Sequence, residues 1–175
     1  VRAREQLQLE SELRRAIGRN ELLFHYQPKV SLRSGRIVGA EALIRWAHPE
    51  NGLIPPSKFI SLAEETGLIV DLGNWALEEA CRQIRSWLDA GLEIVPIAIN
   101  ISARQFDPLL PRRLKNVVDR HGVPCELLKL EITESLLVRG PDTRVLAEAH
   151  RDGAGHQAGR AGEHHAARRH PAAAH

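Results

Sequence analysis

The sequence predicts an α/β fold, and three observations predict it. A strand–turn–strand pattern opens the chain, long helical patterns follow, and each later strand has one fully apolar face and is separated from the next strand by a helix. Apolar strands alternating with helices form parallel sheets covered by helical layers, and ligand sites then collect at the carboxyl ends of the strands. Composition agrees, since 43% hydrophobic and 26% charged residues in a chain of 175 suffice for one domain with a real core.

In residues 2–19 the apolar side chains Leu9, Leu13, Ala16 and Ile17 recur at helical spacing among Arg, Glu and Gln, and Gly18 with Asn20 ends the pattern. Residues 1–19 therefore read as an amphipathic linker helix from an upstream signalling domain, with packing on its own domain as the equal alternative. Residues 21–32 and 36–46 are strand-like and joined by Arg33-Ser34-Gly35, the turn of a hairpin. Pro28 places the first strand at an edge or bulge, because proline has no N–H for a ladder. In the second strand, alternation puts Val38, Ala40, Ala42, Ile44 and Trp46 on one face and Gly39, Glu41, Leu43 and Arg45 on the other. A carboxylate and a guanidinium on a strand that otherwise reads as core must form a buried Glu–Arg pair, bind metal or line a wet cavity.

Asn51-Gly52 and Pro55-Pro56 mark a loop, Ser57 is the expected N-cap of a helix over residues 58–66, and Gly67 ends it. Residues 68–90 form a longer helix with Leu72, Trp75, Ala76, Ala80, Ile84, Trp87 and Leu88 on one side, stopped by Gly91. A strand over 94–102, a helix over 108–121, a strand over 127–133 and a short helical piece over 135–139 complete the pattern. From about Thr143 the character changes: residues 144–175 hold ten Ala, six His, five Arg and four Gly, and no Ile, Phe, Trp or Tyr. Such a segment buries too little to offset its ordering entropy, so a disordered tail is expected. Its bias is that of a GC-rich gene read out of frame. The alternative, a metal-binding or basic tail of His150, His156, His164, His165, His170 and His175, has no closed-site spacing.

A net charge of +2 is too small to argue for DNA, and no apolar run approaches the roughly 18 residues of a spanning helix. With no signal-peptide pattern and two cysteines, Cys81 and Cys125, at no metal or disulfide spacing, the sequence reads as cytoplasmic. The chain contains no Met and begins with Val1, which fits either an alternative start codon or a segment of a longer protein.

Two further strands repeat the pattern of the second. In residues 94–102, Val95, Ile97, Ile99 and Ile101 share one face, with Pro96, Ala98, Asn100 and Ser102 opposite; in 127–133, Leu128, Leu130 and Ile132 oppose Leu127, Lys129, Glu131 and Thr133. Glu41, Asn100 and Glu131 thus offer three oxygen donors near the carboxyl ends of three strands, the chemistry a hard divalent cation requires.

These residues carry a resemblance. Tyr26-Gln27-Pro28, Glu41-Ala42-Leu43 with Arg45-Trp46, Pro56-Ser57-Lys58-Phe59-Ile60, Ala63-Glu64, Asn100-Ile101-Ser102 and Leu130-Glu131-Ile132-Thr133-Glu134 together resemble the EAL domain, the cyclic di-GMP phosphodiesterase family. The resemblance covers residues 20–143 and implies the first half of a (β/α)₈ TIM-like barrel with one antiparallel strand, the partial barrel and its N-terminal hairpin being followed by the tail. It implies Glu41, Asn100 and Glu131 as ligands of Mg²⁺ or Mn²⁺, with Glu41, Glu131 and the loop-supporting Glu134 in the catalytic set. Gln27, Leu43 and Arg45 are implied on the dinucleotide. The implied reaction opens one phosphodiester bond of cyclic di-GMP to give linear pGpG, with two metal ions activating water and stabilising phosphate charge while Arg45 holds a phosphate oxygen. It also implies an upstream partner such as a diguanylate cyclase-like domain, reached through the N-terminal helix, and a homodimer. The family's later Asp-Asp-Phe-Gly-Thr-Gly strand, strand Lys, Glu and Gln have no counterpart in this sequence. A polypeptide of these residues is therefore expected to be inactive, and the alternatives are a non-catalytic cyclic di-GMP-binding or partner-binding module and a non-functional fragment.

Overall fold

The computed structural model describes residues 2–132. Its first element, helix α1 (Arg2–Gly18), turns Leu13 and Ala16 fully inward, while Arg14–Glu10 and Gln8–Glu12 pairs one turn apart line its outer face. The carboxyl-terminal half of α1 is thus part of the domain's own core. Strands β1 (Leu22–Val30) and β2 (Ile37–His48) form the expected antiparallel hairpin, paired from Leu22 opposite Trp46 to Val30 opposite Ile37. The register slips between Lys29 and Val30, just after Pro28, and β1 lies at an edge of the described sheet, so proline's missing N–H is accommodated in both ways open to it.

The expected loop after β2 contains a strand that the pattern does not reveal: β3 (Gly52–Ile54) pairs Ile54 with Trp46 and Gly52 with His48. Three residues carry too little periodicity to be read. The next helix, α2 (Pro56–Thr66), starts earlier than expected, with Pro55 at the N-cap, and Ser57 lies inside it rather than capping it. Pro55 is held extended by the proline that follows, and Pro56 has the φ of a first helical residue and no N–H left without a partner. Gly67, at φ 81°, ends α2 as expected, in a left-handed conformation that favours glycine.

Helix α3 (Ile69–Asp89) buries Leu72, Ala76, Ala80 and Ile84 as its spacing predicts, together with Gly73, Leu77 and Cys81. Strand β4 (Ile97–Ile101) is shorter than the 94–102 expected, because Pro96 cannot donate to the ladder; its carbonyl instead accepts the Ala40 N–H at 2.9 Å. A short 3₁₀ turn (Ala103–Gln105), helix α4 (Leu110–His121) and strand β5 (Leu128–Ile132) follow.

The sheet runs in the order β1-β2-β4-β5, with β3 attached to β2; β2–β4 and β4–β5 are parallel, so the sheet is mixed and the class is α/β. Ile97, Ile99 and Ile101 pack with Leu77, Ala80 and Ile84 of α3 and Val117 and Val118 of α4, which makes one face of the sheet the helix-covered core. A second cluster around the fully buried Trp46 and Phe59 joins α1, α2 and the start of α3 to the carboxyl end of β2. Truncating such an aromatic costs about 3–5 kcal/mol, so this cluster is a main anchor of β2. Phe24 and Tyr26 on β1 meet Trp75 and Trp87 with ring centroids 5.2 and 5.1 Å apart, and burial pushes the Tyr26 hydroxyl up to about 12. Cys81 is a core residue whose thiol burial pushes up to about 11, and Cys125 is at the surface, in no disulfide with it.

The opposite face of the sheet is concave. Lys29 on β1 forms an ion pair with Glu131 on β5 across β2 and β4. Three inter-strand steps of about 4.8 Å put these strands roughly 14 Å apart on a flat sheet, and side chains standing perpendicular to it would not meet. The contact requires the sheet to curl toward that face, as barrel strands do. The helical piece expected over 135–139 and the disordered tail expected over 144–175 lie outside the described residues. No helix among the described residues is long and apolar enough to cross a membrane.

Candidate functional site on the concave face

Glu41 lies in the middle of β2 and faces away from the helices because Ala42, its neighbour, is buried beneath α3. On β1, Gln27 stands directly opposite Glu41, and residues opposite one another in an antiparallel pair point to the same face. On the other side Glu41 pairs with Ala98 of β4, and Asn100, two residues further on the same face, donates Nδ2–H to Glu41 Oε1 at 2.6 Å. Asn100 in turn pairs with Glu131 of β5. The structure therefore brings Gln27, Glu41, Asn100 and Glu131 into one row across four neighbouring strands. Asn100 is exposed on this face while Ile99 and Ile101 on either side of it are buried, as the alternation predicts.

The Glu–Arg pair left open by the sequence does not form. Arg45 is four residues along an extended strand from Glu41, and its guanidinium donates to the Ile44 carbonyl at 2.8 Å. Arg45 and the half-buried Leu43 share the Glu41 face toward the strand's carboxyl end. Glu134 lies outside the described residues.

The end of β4 is fixed by groups to which the sequence reading assigned no role. The Ser102 backbone N–H donates to Gln105 Oε1 at 2.9 Å, and the Ser102 hydroxyl donates to Glu64 Oε1 on α2 at 2.7 Å. Ser102 and Gln105 are both buried, 7% and 5% exposed, so these bonds are protected from water and hold the strand two residues beyond Asn100. A Ser three residues before a Gln is the sequence signal for this capping box. The carboxyl end of β2 is held similarly. His48 Nδ1 accepts the backbone N–H groups of Glu50 and Asn51, each at 3.1 Å, which leaves the ring proton on Nε2, 3.2 Å from Glu12 Oε2 on α1. A hydrogen bond from Gln8, and then His48, hold the Glu12 carboxyl below the usual carboxylate range. Lys29 was also missed; its signal was the two-residue spacing from Gln27, which puts both on the site face.

The donor chemistry fits a hard divalent cation. Two carboxylates and an amide share one face on three neighbouring strands, the remainder of an octahedral shell is ordinarily water, and with Asn100 Nδ2 engaged by Glu41 the amide oxygen is left to ligate. Among the described residues no three His, Cys, Asp or Glu side chains are clustered to hold a metal ion.

With this geometry in hand, comparisons place the chain. The family model for the EAL domain matches residues 10–170, extending on either side of the 20–143 segment whose motifs carry the resemblance. The chain is 49% identical over 145 residues to the bifunctional diguanylate cyclase/cyclic di-GMP phosphodiesterase MucR of Pseudomonas aeruginosa, covering 82% of this chain and 21% of MucR. It is 43% identical over 139 residues to the cyclic di-GMP phosphodiesterase PdeR of Escherichia coli, covering 79% of this chain and 21% of PdeR. The solved PaMucR phosphodiesterase in complex with c-di-GMP superimposes with a TM-score of 0.77 at 46% identity, over 83% of this chain and 60% of that one. The chain thus spans about a fifth of these curated relatives. A family match over most of its length, joined to a curled mixed sheet bearing the glutamate of Glu41-Ala42-Leu43 on its concave face, makes this chain a member of the EAL domain family.

Proposed function

We propose that this domain serves the hydrolysis of cyclic di-GMP to linear pGpG. The observation that carries the reading is that Glu41, Asn100 and Glu131 stand on one face of three neighbouring strands, with Asn100 hydrogen-bonded to Glu41 and in register with Glu131. The metal would be Mg²⁺ or Mn²⁺, held by Glu41, Asn100 and Glu131, and when bound it supplies electrophilic stabilisation of phosphate charge and an acidified water. Divalent-metal dependence is a property of EAL phosphodiesterases generally.

The chain's own residues provide binding and orientation. Arg45, with a planar guanidinium suited to phosphate oxygens, leaves the Ile44 carbonyl to hold the phosphodiester, and Gln27 and Leu43 flank the dinucleotide on the same face. Glu134, close after the β5 strand, supports the catalytic loop. The buried Ser102–Gln105–Glu64 bonds keep Asn100 in register, which matters because small misplacements of catalytic groups are costly. The partners of this reading are an upstream diguanylate cyclase-like domain, reached through α1, and a second copy of the chain. A domain acting on this second messenger works in the cytoplasm.

The test is conversion of cyclic di-GMP to pGpG, followed by chromatography, with Mg²⁺ or Mn²⁺. A chain whose reading frame is restored after about Thr143, so that it gains the family's Asp-Asp strand and Lys, is expected to turn over, Glu41→Gln in that chain is expected to lose turnover, and a polypeptide confined to these 175 residues is expected to show none, because its sequence contains no Asp-Asp. Equal turnover by the frame-restored chain with and without Glu41→Gln overturns the assignment.

A further inference from the structure

Lys29 is the one cation among the described residues whose charged group touches the donor row. Its ammonium binds Glu131 Oε1, and both side chains are about two-fifths exposed, 40% and 39%. Opposite Lys29 on β2 is Gly39, where an added Cβ would lie 3.3 Å from the Pro96 carbonyl and 4.0 Å from the Lys29 Cβ, so no side chain on β2 flanks the start of the Lys29 stem. Glu41 and Asn100 stand on the same face of the two strands between Lys29 and Glu131. Of the other cations on this face, Arg45 donates to a backbone carbonyl, and Lys129 stands two residues before Glu131 on β5, opposite Ala98.

We propose that the Lys29 ammonium is a built-in placeholder for the divalent cation: it occupies Glu131 Oε1 in the metal-free protein and is displaced when that oxygen becomes a ligand. This rests on the reading of Glu41, Asn100 and Glu131 as the metal-binding row. The ammonium neutralises part of the charge of the two carboxylates on this face. An ammonium and a divalent ion cannot share one carboxylate oxygen without mutual repulsion, so Lys29 opposes metal rather than assisting it. Partial exposure makes the contact weak, and a screened pair of this kind is cheap to open. Lys29 therefore sets the metal concentration at which the site fills without blocking filling. Had Lys29 instead been a support that orients Glu131 as a ligand, its removal would weaken metal binding, commonly by about 10–100-fold. The two roles have opposite signs.

The experiment titrates Mn²⁺ into the 175-residue chain, read by the loss of free-ion electron paramagnetic resonance signal, for the unsubstituted protein, Lys29→Gln, Lys29→Met, Lys29→Arg, Glu131→Gln and the Lys29→Gln/Glu131→Gln pair. The neutral variants should tighten the Mn²⁺ dissociation constant roughly two- to fivefold, the range a partly exposed ion pair supports. Lys29→Arg, which keeps the charge, should not tighten it, and Lys29→Gln should have no effect once Glu131 is already substituted. Unchanged or weaker binding in Lys29→Gln and Lys29→Met overturns the placeholder role while leaving the metal row standing. Mn²⁺ binding that is absent, or that ignores Glu131→Gln, removes the metal row itself and the placeholder with it.

Discussion

Asn100 Nδ2 lies 2.6 Å from Glu41 Oε1, although the residues are 59 apart in sequence and sit on different strands. The bond orients a neutral amide and a carboxylate toward the same point. It also fixes which atom of each remains outward, a supporting arrangement common around metal ligands.

Replacing Asn100 by Ala should therefore weaken Mn²⁺ or Mg²⁺ binding by about tenfold or more, since it removes a donor and frees Glu41 to reorient. Because Asn100 is exposed while its neighbours Ile99 and Ile101 carry the burial, the metal-free melting temperature should change little. Metal titration beside a thermal melt decides it; a large loss of stability without a change in affinity would assign Asn100 to the fold alone.

Arg45→Ala should act differently. It removes a charged phosphate contact and no metal donor, so Mn²⁺ affinity should persist while turnover of cyclic di-GMP by the frame-restored chain falls about 10–100-fold, the worth of a hydrogen bond to a charged group. Parallel loss of metal affinity would place Arg45 in the metal shell instead.

Helix propensity and packing make opposite predictions at Gly73. Alanine should favour a helix interior over glycine by about 1 kcal/mol. An added Cβ would, however, lie 1.4 Å from Gln105 Nε2 and 2.6 Å from its Cδ, and Gln105 is buried and tied through Oε1 to the Ser102 N–H. Displacing it breaks the capping bond and overpacks the site, so Gly73→Ala should destabilise by roughly 1–3 kcal/mol in chemical denaturation. In a Gln105→Ala background the same substitution should become neutral or stabilising. A stabilising Gly73→Ala in the unsubstituted protein would show that Gln105 moves at no cost.

Glu78 joins α3 to α4 through Arg120 at 2.7 Å and His121 at 3.0 Å. Burial acts to raise its pKa, but the hydrogen bonds from His121 and Arg120 outweigh it and hold the carboxyl below its ordinary 4.5. A carboxyl lowered by folding contributes stability above its ordinary value, and that contribution is lost as pH falls through the lowered folded value. Glu78→Gln should accordingly cost at most about 1 kcal/mol near neutrality, given that the side chain is 40% exposed, and the difference should close below pH 4.5. Denaturation curves at neutral and acid pH measure this; a difference that persists unchanged in acid would assign the effect to packing.

Much of the site was legible before any coordinates. Alternation along residues 36–46, 94–102 and 127–133 separates Glu41, Asn100 and Glu131 from the helix-facing Ile and Leu, and that parity is set by the covalent geometry of an extended chain. Helices α2, α3 and α4 end at Gly67, just before Gly91 and at Gly122, whose positive φ angles are a local property of glycine. The expected N-cap at Ser57 failed because two prolines beside it define the helix start more strongly than a hydroxyl does.

The sequence by itself determined the α/β class, the hairpin and the strand faces, including the side of the sheet on which Glu41, Asn100 and Glu131 stand, because each depends on neighbours within a few residues. Only the tertiary structure decided that Gln27, Glu41, Asn100 and Glu131 stand in one row, that Arg45 turns to a backbone carbonyl rather than to Glu41, and that Lys29 reaches Glu131. Those outcomes depend on inter-strand register and on the curl of the sheet. Packing of distant apolar residues sets both, and no local pattern encodes them.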